Sequence, residues 1–345
     1  MAASDFVPPS LRLFASSSLR HFVTSSLRHF VTPQDRSIPL SPAQLQDADA
    51  VIDALHRGAS ANRFASCRVG SIDQITPPGR LIATGDLHDN PDNFERLIEL
   101  ARLTGVAGED GATDDHTHDL PHITLHEIIH PDRLINGMDF SYRSMVRVAA
   151  LKAAHPERVH TLLANHELAQ MVGAGIVKNG IRVVEAFNEG IDYVFGSRAA
   201  PVMDAIRAFV RSMPLALRCV TPRGDILCAH SIPGPAMMPR FDASVLTRDL
   251  TEDDYAPRQG AAHMMVWGRD YDHDQIEDLV ERWGVNLFVL GHEKAEHGVM
   301  FVPPAVLVIN SDHERGVYLP IDLDDPPRAE EAAALVQRLA PADSW

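Results

Sequence analysis

Gly79-Arg80-Leu81-Ile82-Ala83-Thr84-Gly85-Asp86-Leu87-His88-Asp89 is a short apolar run that closes on a glycine and then presents a carboxylate and an imidazole. Asp92 to Leu103 follows with the periodicity of an amphipathic helix. Further short apolar runs stand at His122–Ile129, Val159–Ala164, Gly224–His230, Asn286–Leu290 and Ala305–Ile309. Helical patterns separate several of them, at Tyr142–Ala154, Gly180–Asn188, Ala200–Ser212 and Asp274–Trp283. Strand alternating with helix predicts an α/β architecture in which helices cover the sheets. The five runs after the first end or begin among turn residues, and no internal linker demands a second domain.

The chain has 345 residues, 45% of them hydrophobic, which suffices for one large α/β domain. Its formal net charge of −16 argues against a general electrostatic grip on nucleic acid. No stretch stays apolar and uncharged over the length needed to cross a bilayer, so no membrane partner is expected. Cys67, Cys219 and Cys228 are too few and too irregular for a disulfide framework, which points to a reducing, cytoplasmic setting.

Outside the alternating region the organisation changes. Ser17-Ser18-Leu19-Arg20-His21-Phe22-Val23 recurs as Ser25-Ser26-Leu27-Arg28-His29-Phe30-Val31, in a Ser- and Arg-rich segment resembling a transit peptide. Residues 1–40 read as a disordered extension carrying a tandem duplication, with organelle targeting as the rival reading. Residues 41–78 form a helical lead-in around Leu45, Val51, Ile52 and Leu55, residues 79–323 the main domain, and 324–345 a tail with an Ala/Glu/Leu helix.

The chemistry lies where polar residues fall relative to the apolar runs. Five runs end in side chains able to bind a metal: Asp86 with His88, His126 with Glu127, Asn165 with His166 and Glu167, His230, and His292 after Gly291. Loops at strand C-termini converge on one edge of a sheet, where α/β proteins assemble their sites. Carboxylate, imidazole and amide oxygen together suit Mn²⁺, Fe²⁺ or Zn²⁺. Each piece alone has an ordinary reading as a turn, a helix cap or a half-buried histidine; their joint placement does not. The Asp114–Asp119 cluster, by contrast, lies in a polar stretch with no strand to hold it, and Asp270–Asp274 reads as a loop and helix N-cap.

This ordered series resembles the calcineurin-like metallophosphoesterases, and within them the phosphoprotein phosphatase branch. That branch carries Gly-Asp-X-His-Gly, Gly-Asp-X-X-Asp-Arg-Gly, Gly-Asn-His-Glu, a later strand-end His and a final Gly-His. Here they stand as Gly85-Asp86-Leu87-His88-Asp89, a divergent Leu125–Arg133, Ala164-Asn165-His166-Glu167, Ala229-His230 and Gly291-His292. Val266-Trp267-Gly268-Arg269 is similar to a Trp-containing segment of the family. In the divergent motif Glu127 aligns with the metal-bridging aspartate, with a short insertion before Asp132-Arg133.

The resemblance implies a four-layer α/β/β/α sandwich of two mixed sheets with a dinuclear metal site at one edge. It implies one divalent ion on Asp86, His88 and Glu127, and a second on Glu127, Asn165, His230 and His292. His166 would face the leaving oxygen as general acid, oriented by Asp132. Arg133 and Arg269 would bind phosphate oxygens. The implied reaction is hydrolysis of a phosphomonoester, first of all on a phosphoserine or phosphothreonine protein. A dinucleoside polyphosphate or other small phosphoester is the alternative substrate, and a degenerate binding protein the alternative of another class.

Overall fold

The apolar run that closes on Gly85 forms a strand, Arg80–Thr84, with Leu81 and Ala83 fully buried, in the computed structural model, which describes residues 40–103 and 120–340. In chain order the strands are β1 (Arg68–Val69), β2 (Ile72–Ile75), β3 (Arg80–Thr84), β4 (His122–Leu125), β5 (Val159–Thr161), β6 (Val177–Lys178) and β7 (Ile181–Arg182). They continue as β8 (Ala216–Cys219), β9 (Asp225–Ala229), β10 (Val285–Leu290), β11 (Val299–Val302), β12 (Val306–Ile309), β13 (Val317–Asp322) and β14 (Gln337–Arg338). One sheet has the order β1-β2-β8-β9-β10-β12-β11 and the other β14-β13-β3-β4-β5, while β6 and β7 form a separate hairpin.

Both large sheets are mixed, and each contains a parallel triplet. In the smaller sheet these are β3, β4 and β5, in the larger β9, β10 and β12. Parallel strands are covered on both faces and therefore read as continuous apolar runs. Ile226-Leu227-Cys228-Ala229 and Val306-Leu307-Val308-Ile309 are buried throughout. All six strands deliver their C-termini to the same region. Asp86, just past β3, bridges His126 at the end of β4 and Asn310 at the end of β12, so the two sheets meet there. Only glycine fits at position 85: a Cβ would lie 1.9 Å from the Ile309 carbonyl oxygen.

Helices pack on the sheets as the alternation predicts. They are α1 (Ala48–Phe64), α2 (Pro91–Leu100), α3 (Tyr142–Ala154), α4 (Asn165–Val172), α5 (Val183–Phe195), α6 (Ala199–Val210), α7 (Ala261–Val266), α8 (His273–Trp283) and α9 (Ala329–Leu335). The expected four-layer arrangement of two mixed sheets with flanking helices is the one observed: α3 packs on β5, α8 on β10, and α9 on β11, β12 and β13. The helix expected over 180–188 starts later, because Asn179 and Gly180, both at positive φ, form the turn of the β6–β7 hairpin. The strand expected over 122–129 stops at Leu125, since the backbone leaves the extended region at Glu127. Asp272 caps α8 through Gln275 N at 2.8 Å, as its sequence context suggests. No helix among the described residues is long and apolar enough to cross a membrane. The duplicated segment and the Asp114–Asp119 cluster lie outside the described residues.

A second tie between the sheets is polar and buried. Asp73 of β2 accepts from His160 Nδ1 of β5 at 2.8 Å and from Arg68 Nε at 2.9 Å, with Lys152 Nζ of α3 at 3.8 Å. Burial pushes the Asp73 carboxyl up, but the hydrogen bond and charge of His160, with Lys152 and Arg68, outweigh it and hold the group ionised. Removing one partner of such a network leaves uncompensated buried charge, which costs roughly 3–5 kcal/mol. Asp73→Ala is therefore predicted to lower stability by about that amount in denaturant unfolding. A loss below about 1 kcal/mol, the surface-pair range, would show that the network does not tie the sheets.

Candidate metal centre

Glu127 lies at the centre of the site, 2% exposed, two residues beyond the end of β4. Its Oε1 is 3.7 Å from His88 Nε2 and 3.6 Å from His166 Nε2, and its Oε2 is 3.6 Å from His230 Nε2. His230 Nε2 lies 2.7 Å from Asn165 Oδ1 and 3.0 Å from His292 Nδ1. Asp86 supports the far side, accepting from the His292 backbone N–H at 3.0 Å, with His230 Nδ1 at 3.4 Å. Five strand ends thus bring together all six residues expected as ligands: Asp86, His88, Glu127, Asn165, His230 and His292.

Strain accompanies this convergence. His88, Asp89, Glu127, His130 and His292 all occupy positive φ, between 42° and 66°. None is glycine, so each costs roughly 1–2 kcal/mol relative to ordinary backbone. Such residues cluster where the surrounding structure forces side chains into one place. Glycine is reserved for close approach: a Cβ at Gly291 would lie 2.2 Å from Asp86 Oδ1 and 2.7 Å from His126 Cε1.

The hydrogen bonds fix which nitrogen of each ring faces inward. His88 Nδ1–H donates to the Ile129 carbonyl at 3.0 Å, which leaves its Nε2 lone pair toward Glu127. His126 Nε2–H donates to the Thr84 carbonyl at 2.9 Å, so its Nδ1 is an acceptor. His230 Nδ1 lies between that nitrogen, at 3.3 Å, and Asp86 Oδ1; donating there leaves its Nε2 lone pair inside the cluster. Partners of this kind, behind a ligating imidazole, are what orient it toward a metal.

The donor set fits cations and little else. Asn165 Oδ1 faces His230 Nε2, His292 Nδ1 and both Glu127 oxygens, all of them acceptors. Turning the amide would satisfy one set of bonds, but the oxygen-inward arrangement gathers lone pairs from an amide, two imidazoles and a carboxylate around one point. Among the described residues no lysine or arginine pairs with Asp86 or Glu127. Burial, then Asp86 and Glu167, pushes the Glu127 carboxyl well above its ordinary range. Burial also pushes Asp86 up, but the hydrogen bond and charge of His230, with His126 and His88, hold it low. Burial holds the His126 imidazole down to about 4, and keeps that of His292 well below its usual value. Neutral imidazoles are the state that a metal requires, whereas the raised Glu127 carboxyl would have to give up its proton as a cation bound. Two separate groups of close ligand atoms result, Asp86 with His126 and His230, and His88 with Glu127 and His166.

The remaining expected residues fare differently. Arg269 is half-exposed beside the cluster, 3.7 Å from Glu293, and its charge helps hold His292 neutral. Trp267 packs edge-on against the His292 ring, 5.9 Å between centroids. Arg133 is exposed. Asp132 is also on the surface, 3.0 Å from Lys178 Nζ and 3.4 Å from Asn179, and does not meet His166. The residue that does is His130, with ring centroids 5.2 Å apart. Counted without an insertion, His130 is the third residue after Glu127, the place of the second aspartate in Gly-Asp-X-X-Asp-Arg-Gly. Pro131 and the positive φ of His130 then turn the chain outward, which takes Asp132 away.

His126, able to bind a metal by its place at the end of a run, stands outside the ligand sets that the resemblance implies. It occupies the place of a glycine in the motif and fills it with a buried ring. Asp89, likewise in place of glycine, hydrogen-bonds Ser144 behind the site, and burial pushes its carboxyl up to about 6. A cleft of about 810 Å³ bordered by Arg223, Asn286 and Pro326 lies at the opposite, N-terminal ends of β9 and β10, remote from this cluster.

No protein-family model and no curated sequence matches the chain. Solved structures do. A protein serine/threonine phosphatase from Saccharomyces cerevisiae is similar with a TM-score of 0.60 at 16% identity, over 87% of this chain and 91% of that one. A cold-active protein-tyrosine phosphatase of a psychrophilic Shewanella is similar with a TM-score of 0.51 at 14% identity, over 81% of this chain and 84% of that one. Identities this low speak for the fold. The two mixed sheets, the order of the strand-end motifs and these likenesses agree: the chain has the calcineurin-like phosphoesterase fold.

Proposed function

We propose that the chain is a metal-dependent hydrolase of phosphomonoesters that takes two divalent ions, with Glu127 shared between them. The observation that supports this most is the convergence of unpaired acceptors on Glu127, at the edge where two parallel triplets end. Asp86, His88 and Glu127 would hold the first ion; Glu127, Asn165, His230 and His292 the second. Mn²⁺, Fe²⁺ or Zn²⁺ suits this mixture of oxygen and imidazole donors. Two such ions would supply an acidified water at neutral pH and charge neutralisation on the phosphoryl oxygens.

The chain's own groups do the rest. Arg269 stands beside His292 and can donate two parallel bonds to phosphoryl oxygens; Arg133 is retained as the second such donor. His166 opens α4, and its Nε2 points at Glu127 Oε1. Burial, then His88, His130, Lys178 and His230, keeps its imidazole neutral before substrate arrives. A phosphate dianion brings negative charge against that ring and favours the imidazolium, which can then give its Nε2 proton to the leaving oxygen.

The first substrate class is a phosphoserine or phosphothreonine protein, in line with the yeast enzyme of similar fold. The Shewanella enzyme, of similar fold, is a protein-tyrosine phosphatase, so the fold alone does not select the phosphorylated residue. Dinucleoside polyphosphates are the small-molecule alternative. A non-catalytic binding role is disfavoured because all six ligand positions hold competent, converging side chains.

Turnover of aryl phosphates by the full chain with Mn²⁺, abolished by a chelator, tests the reading; ion binding without turnover of any phosphoester would establish the binding-protein alternative. Glu127→Ala is predicted to lose at least one ion per chain by elemental analysis, because two cations would face each other without their shared charge. Glu127→Asp is expected to be intermediate, its carboxylate one methylene short. Retention of two ions and near-normal turnover in Glu127→Ala would contradict the assignment. His166→Asn is expected to slow esters with poor leaving groups by about 10²–10⁴-fold and activated aryl esters far less. Equal losses on both, with ions depleted, would make His166 a ligand instead.

A further inference from the structure

His130 and Asp139 form a buried pair that the proposed reaction has not yet used. His130 is fully buried and Asp139 is 1% exposed. His130 Nδ1–H donates to Asp139 Oδ2 at 2.9 Å. The pair is firmly built: the Ser141 backbone N–H donates to Asp139 Oδ1 at 2.7 Å, and the His130 backbone N–H to Ser141 Oγ at 3.2 Å. Asp139 N–H donates to the Ala186 carbonyl at 3.0 Å, and Gly190 of α5 leaves room for its carbonyl, which a Cβ would approach to 2.0 Å. Phe187 of the same helix meets the His130 ring edge-on at 5.5 Å.

Two polar atoms are left over. His130 Nε2 and His166 Nδ1 are both buried without a hydrogen-bond partner, and they belong to neighbouring rings, 5.2 Å apart and tilted by 54°. A buried polar group without a partner costs about 1–3 kcal/mol. A hydrogen bond relayed from one nitrogen to the other satisfies both. With Asp139 accepting from Nδ1–H, His130 presents its other nitrogen, Nε2, as an acceptor. His166 must then supply the proton, from Nδ1.

We propose that Asp139 and His130 are positioning residues for His166, forming a chain in which Asp139 fixes the tautomer of His130 and His130 Nε2 takes up the hydrogen bond of His166 Nδ1–H through one bridging water. The assignment rests on the phosphoesterase reading and deepens it. With Nδ1 committed to His130, the other nitrogen of His166 is the one aimed at Glu127 and at the leaving oxygen. An imidazole thereby stands between the acid and its carboxylate, and Asp132 is not needed.

The test uses the full Mn²⁺-loaded chain with two substrates, phenyl phosphate and 2,4-dinitrophenyl phosphate. If the wild type turns over neither, the phosphoesterase reading fails and not this one. His130→Phe keeps the ring against Phe187 and removes both nitrogens. It is expected to lower kcat on phenyl phosphate about 10–100-fold, as loss of outer partners does, while changing dinitrophenyl phosphate less than about threefold and keeping both ions. In a His166→Asn background the same substitution should have no further effect, and His130→Gln, whose amide oxygen can accept the bond relayed from Nδ1–H, should restore part of the loss. Equal losses on both esters, or losses that multiply in the double variant, would overturn the proposal. Imidazole ¹⁵N spectra of the metal-free wild type decide the matter should His130→Phe not fold. Neutral His166 protonated at Nδ1 is the expected result; protonation at Nε2 alone would overturn it.

Discussion

Mutual repulsion among buried acceptors is the constraint on which this structure turns. Asp86 and Glu127 lie together below a tenth exposure, surrounded by imidazole nitrogens and an amide oxygen and, among the described residues, by no paired lysine or arginine. A folded chain tolerates this only if something positive compensates it, since an uncompensated buried charge costs several kcal/mol. Burial holds His88, His126, His166 and His292 neutral, so these rings do not supply it, and a proton drawn onto Glu127 would cover only part of it. Divalent cations can. In the proposed reading stability and function are therefore coupled: the arrangement that calls for a cation is also the one that would activate a phosphate ester.

The fold meets this demand by geometry before chemistry. Two parallel triplets, one in each sheet, point their C-termini to a common edge, and the bridges from Asp86 to His126 and Asn310 join them. Glycine at 85 and 291 lets the strand ends approach, while His88, Glu127 and His292, all non-glycine residues at positive φ, bring their side chains together. The buried Asp73–His160 pair ties the same two sheets through β2 and β5, away from the glycines and turns of the cluster. Rigid strands thus carry the site, and strained single residues aim it.

Much of this was legible in the residues. The six proposed ligand positions stand where apolar runs end, and strand ends are readable because buried parallel strands are continuous apolar runs. Asn165-His166-Glu167, weighed as a possible helix cap, is in fact the first turn of α4, with Ala164 at the cap. Short strands were harder: β2 carries Asp73, whose burial depends on partners from β5 and α3 that no local pattern announces. Asp132 was the natural choice to orient His166 because it precedes an arginine, yet the turn at His130 sends it to Lys178. Asp139, nine residues past His130, reaches the site only through α5 and the turn at Ser141, contacts that appear in three dimensions alone. A hint was present, since three residues after Glu127 is where the motif expects a group that orients the acid.

The central claim is that the lone pairs around Glu127 are a two-ion site. Anomalous diffraction at the manganese edge, from crystals of the full chain grown with Mn²⁺, addresses it directly. The account predicts two peaks roughly 3.5–4 Å apart, the spacing of paired catalytic ions, both in contact with the Glu127 carboxylate. One should touch Asp86 and His88, the other Asn165, His230 and His292. A single peak not touching Glu127, or no peak in this cluster at saturating Mn²⁺, would contradict it.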